Sequence, residues 1–90
     1  MKTFLIERNI PGAGNLTASD LKNISIASCN VLEEMGPSIE WIQSYVSADK
    51  LHCVYRAENE ELIRIHGRKG NFPVTSIMEV VDNISPATAN

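Results

Sequence analysis

Ninety residues make one small domain, and 11 acidic against 8 basic side chains leave a net charge of −3. That balance excludes the basic footprint on which nucleic-acid binding rests. No run approaches the roughly 20 apolar residues that span a bilayer, and the opening MKTFLIERN, interrupted by Glu7 and Arg8, is no secretory leader. The cytoplasm is therefore the expected compartment.

Thr3 to Arg8 reads as the first strand, with Phe4 and Ile6 on one face and Leu5 and Glu7 on the other. Pro11-Gly12-Ala13-Gly14-Asn15 breaks into a loop; the glycine pair lacks the third glycine of a dinucleotide fingerprint. Thr17 followed by Asp20 predicts a capped start for a helix over 18–35. Leu21, Ile24, Val31, Leu32 and Met35 recur at helical spacing as its buried stripe, and Gly36-Pro37 ends it. Residues 39–47 alternate as a strand, Ala48-Asp49-Lys50 turns, and 51–57 returns. A second helix is expected over 59–69, stopped by Gly70, and a last strand over 76–82. Glu58, Glu60 and Glu61 precede Arg64, Arg68 and Lys69, the charge gradient that a helix dipole favours.

This order, βαββαβ, predicts an α+β ferredoxin-like domain over 1–84: a four-stranded antiparallel sheet with two helices on one face. The first and third strands fall at its centre, and 85–90 forms a small polar tail. A chain this short buries only roughly 60–65% of its unfolded surface. An open sheet face would leave it under-buried, so a homodimer is expected. Cys29 and Cys53 form no CxxC and are expected as free, structural thiols, one on a helix and one in a strand.

Alternation divides the sheet residues by polarity. Phe4, Ile6, Ile42, Val46, Cys53, Tyr55, Met78 and Val80 are assigned beneath the helices. Leu5, Glu7, Trp41, Gln43, Tyr45, His52, Val54, Arg56, Ile77, Glu79 and Val81 are assigned to the open face. That second set mixes large apolar with charged side chains, the composition of a dimer interface enclosing a partly polar cavity. Glu7, Trp41, Tyr45 and Arg56 are its candidate ligand contacts, with Arg56 able to pair with Glu7 or Glu79 instead. His52 is expected to reach solvent near its turn. His66 lies in the last turn of the second helix, where imidazolium would meet free carbonyls or a neutral ring could ligate a metal.

Pro11-Gly12-Ala13-Gly14, Trp41 with Ser44-Tyr45-Val46, and Asp49-Lys50 before Cys53-Val54-Tyr55-Arg56-Ala57 form the first half of a longer pattern. Asn59-Glu60-Glu61, Arg64-Ile65-His66, Gly70, Phe72-Pro73, Ile77 and Glu79-Val80 complete it. In this order they resemble a bacterial family of small nickel-responsive proteins of otherwise unknown function. The resemblance implies a dimeric ferredoxin-like fold and binding of nickel or another divalent metal, with His66 and Glu79 as the ligands carried over. The nickel-binding branch has histidines just after the first strand, where this chain has Arg8 and Asn9. The expectation is a non-enzymatic dimer binding a divalent metal or small ligand at the open face or interface. The alternative is a cofactor-free dimeric enzyme of monooxygenase or isomerase type using the same cavity.

Overall fold

The computed structural model describes residues 1–90. Its order is β1 (Lys2–Asn9), α1 (Ala18–Met35), β2 (Ile39–Val46), β3 (Lys50–Ala57), α2 (Glu60–Gly70) and β4 (Ser76–Val80). Short 3₁₀ turns occupy Ala13–Asn15 and Pro86–Ala89. The four antiparallel strands form one sheet in the order β2-β3-β1-β4, so β1 and β3 are central and the architecture is ferredoxin-like. No helix is long and apolar enough to cross a membrane.

Local chemistry explains the boundaries. Thr17 and Asp20 form a reciprocal capping box, the Asp20 amide donating to Thr17 Oγ1 at 3.1 Å and the Thr17 amide to Asp20 Oδ2 at 2.9 Å. The same contact holds the Asp20 carboxyl below its ordinary value, and a threonine cap of this kind contributes about 1 kcal/mol. Gly36 closes α1 at φ 83°, a conformation that a Cβ would strain. Helix α2 is capped by Asn59 and runs through Gly70; the left-handed stop is Asn71, at φ 58°, rather than the glycine. Asparagine reaches that region more readily than other non-glycine residues. Strand β4 ends at Val80, short of the expected Asp82.

Phe4, Ile6, Ile39, Leu51, Cys53, Tyr55, Ala57 and Ile63 are buried between sheet and helices. Two parts of the polarity-based face assignment are overturned by register. Trp41 pairs with Tyr55 but Gln43 pairs with Val54, so Ile42 is the extra residue of a bulge. Trp41 therefore shares the helix side with Tyr55, while Gln43 and Tyr45 share the open side with Val54 and His52. In β4, Ile77 lies opposite Ile6 and Glu79 opposite Phe4, placing both on the helix side; Met78 and Val80 join Leu5 and Thr3 on the open side. The sequence Ile77-Met78-Glu79-Val80 carries apolar groups at both parities, so polarity alone could not choose between them.

Candidate functional site

The sheet carries Arg8 inward, at the same parity as Phe4 and Ile6, and only 3% of it is exposed. Its Nη1 donates to the Pro73 carbonyl at 3.0 Å, across the loop between α2 and β4. Gly67 lets that loop approach: a Cβ there would stand 2.9 Å from Val74 Cγ2 and 3.1 Å from the Phe72 carbonyl oxygen. The Arg8 guanidinium lies 5.9 Å from the Tyr55 ring centroid and 5.6 Å from that of Phe72, distances at which ring faces attract a cation. No carboxylate lies within 4.0 Å of it. Nη2 is buried with no hydrogen-bond partner.

Arg8 lies in the wall of a cavity of about 250 Å³ between α1 and the sheet. Leu21 and Ile24 of α1, Trp41, Val46 and Leu51 of the sheet, and Phe72 supply most of its apolar lining. Polar groups are few: Ser25 and Ser28 on α1, and Ser44 on β2, whose Oγ accepts from Trp41 Nε1 at 3.0 Å. The bulge at Ile42 creates this wall, since it turns Trp41 and Ser44 both toward α1. The expected α1 stripe is thus divided: Val31 packs into the core, while Leu21 and Ile24 line the cavity.

Behind the cavity, His66 is fully buried, its Nε2 3.2 Å from Ser28 Oγ and its ring 5.2 Å from Tyr55 and 5.4 Å from Phe72. Burial and then the positive charge of Arg8 depress its pKa to about 4, so the ring is neutral at pH 7. Burial also raises the Tyr55 phenol above its ordinary value, with the nearby Ser28 hydroxyl and the Arg8 guanidinium working against it. A serine at hydrogen-bond distance from histidine has the outline of an activated nucleophile. Here Nδ1 has no partner to orient the ring, and a base of pKa about 4 extracts hydroxyl protons poorly.

The expected site residues are distributed over both faces. Glu7 and Tyr45 are on the open side, and Arg56 lies there opposite Thr3 and Glu40. Glu7 pairs with Lys50 at 3.3 Å, with His52 Nε2 3.4 Å away, and Glu79 pairs with Lys2 at 3.8 Å, so neither carboxylate holds Arg56. Such half-exposed pairs contribute about 0–1 kcal/mol each. The open side also holds a hollow edged by Leu5, Tyr45, Val54, Val80 and Val81. Arg64 and Arg68 of α2 border another groove, but each is ion-paired, with Glu60 at 3.4 Å and Glu61 at 3.0 Å.

His66 and Glu79 are not brought together. The histidine faces Ser28, Tyr55 and Phe72, whereas Glu79 reaches Lys2 at the sheet edge. No group of three or more His, Cys, Asp and Glu side chains is placed to hold a metal ion. A cation at His66 would also meet the Arg8 charge without a carboxylate to offset it. The donor set of a single chain therefore does not fit nickel. Arg8 is the residue that reading by sequence missed; its signal was a charged residue at the inward parity of a central strand.

Residues 4–80 match the family described as nickel responsive protein SCO4226-like. The fold is similar to the crystal structure of SCO4226 from Streptomyces coelicolor A3(2), with a TM-score of 0.76 at 15% identity, over 91% of this chain and 99% of that one. No curated protein matches the chain.

Proposed function

The chain belongs to the nickel-responsive SCO4226-like family, and from that premise we propose a non-enzymatic homodimer that binds a small, largely apolar ligand between α1 and the sheet. One observation carries this reading: a domain of 90 residues keeps an apolar cavity of about 250 Å³ beside its core. A concave, mostly apolar space with a few polar groups is the form that small-molecule sites take. It is also slightly below the usual range of drug-sized sites, about 300–1,000 Å³, which points to a ligand of few atoms. The Ser28–His66 pair, with its weak base and unoriented ring, supports binding over catalysis.

The only tryptophan, Trp41, lies in the cavity wall and reports occupancy directly. Toluene is expected to shift Trp41 emission saturably, and Ser25→Phe, which fills the space, is expected to remove the response. An unchanged emission across a toluene titration would refute the cavity reading.

The opposite side of the sheet supports the dimer. Tyr45 is 58% and Met78 55% exposed there, beside Leu5, Val54 and Val80. Light scattering at micromolar concentration is expected to give twice the 9.9 kDa chain mass, and Met78→Glu to give a monomer. Since the cavity faces the helices, the monomeric variant should still bind toluene. A wild-type monomer would remove the second copy from this reading.

A further inference from the structure

We propose that the cavity's ligand is a small organic monocarboxylate, its apolar body against Trp41, Leu21 and Ile24 and its carboxylate meeting the Arg8 guanidinium. This inference rests on the reading of the cavity as a ligand site and adds the ligand's charge and chemical class.

Arg8 carries the argument. A buried guanidinium is normally paired, because leaving it desolvated and alone is among the most costly arrangements in a protein. Here it is 3% exposed, has no carboxylate within 4.0 Å, and uses Nη1 on the Pro73 carbonyl while Nη2 has nothing. The rings of Tyr55 and Phe72 offset part of its charge and hold its plane beside the cavity. What is missing is an anion, and the cavity is where one would arrive.

The remaining lining selects the kind of anion. One arginine balances one negative charge, so a phosphate dianion would bring charge that nothing else in the wall meets. The polar lining groups besides Arg8 are the Tyr55 phenol, Ser28, Ser44 and Ser25, whose hydroxyl already donates to the Leu21 carbonyl at 2.8 Å. A carboxylate is the compact monoanion that guanidinium recognises best. The apolar majority of the wall then requires a hydrocarbon or aromatic body. The same geometry disfavours a metal cation at this position.

Titration of the intact wild-type protein, followed by Trp41 emission, tests this with phenylacetate and hexanoate against their neutral amides. Each carboxylate is expected to bind about tenfold or more tightly than its amide, the increment of one charge-assisted hydrogen bond. Arg8→Met is expected to abolish that preference, and a cooperative urea unfolding transition verifies that the variant has kept its fold. Should Arg8→Met fail to fold, Arg8→Lys, which keeps the charge on a shorter donor, is expected to retain a reduced preference. Equal binding of acid and amide by the wild-type protein would overturn the carboxylate while leaving the cavity reading intact. Carboxylate binding undiminished in Arg8→Met would overturn it as well. Silence toward toluene, acids and amides together would overturn both.

Discussion

Lowering the pH from 6.5 to about 4 is expected to remove about 3 kcal/mol of folding stability through His66 alone. The folded pKa lies below the value in the unfolded chain, so the unfolded state binds the proton first. Well above pH 6.5 the ring is neutral in both states and folding carries no penalty from it. As pH falls, protonation increasingly favours the unfolded chain, and the loss levels off once the folded ring also titrates near 4. The cause is burial first and Arg8 second. Urea denaturation across this window, compared with His66→Gln, isolates the histidine from carboxylates titrating nearby. Nuclear magnetic resonance of the ring in the wild-type protein gives the same pKa without any substitution. A ring that titrates near 6.5 in the folded protein would contradict the buried, neutral assignment.

Ile6→Ala is expected to cost about 2–5 kcal/mol. Ile6 is fully buried in β1, opposite Cys53 on one side and Ile77 on the other. Both neighbouring strands are held in register around it, so collapse into the vacated space is restricted. Ile42→Ala, by contrast, is expected to cost less than about 1 kcal/mol. Simple alternation would have buried Ile42 with Val46 under α1, but the bulge leaves it 45% exposed at the sheet edge. Thermal or urea denaturation of the two variants distinguishes these positions. Equal, large losses would mean that β2 pairs without its bulge, and Trp41 would then leave the cavity wall.

The consequences of that bulge reach from the fold to the ligand. It turns Trp41 toward α1, separates it from Tyr45, and so moves one expected ligand contact from the open face to the helix-side cavity. Arg8 shows a related effect. In sequence it only marked the end of a strand and stood where histidine was expected by resemblance. In space its parity buries it beside Tyr55 and Phe72, and the Pro73 carbonyl takes one of its two terminal nitrogens.

Local chemistry was enough to read the order of elements from this chain. Thr17 with Asp20, Asn59, Gly36 and the Pro11–Asn15 loop act within a few residues of themselves, and apolar periodicity separates strand from helix. With four strands and two helices in that order, right-handed crossovers leave one arrangement, and β1 and β3 fall at the centre. Only the tertiary structure decided which residues share a face. A one-residue insertion in β2, and the register of a β4 that is apolar at both parities, reverse side-chain direction without changing the pattern. The site depends on those directions, because an unpaired charge becomes significant only once surrounding segments remove it from water. Arg8 acquires that character from Pro73, Phe72 and α1, none of which is its neighbour in sequence.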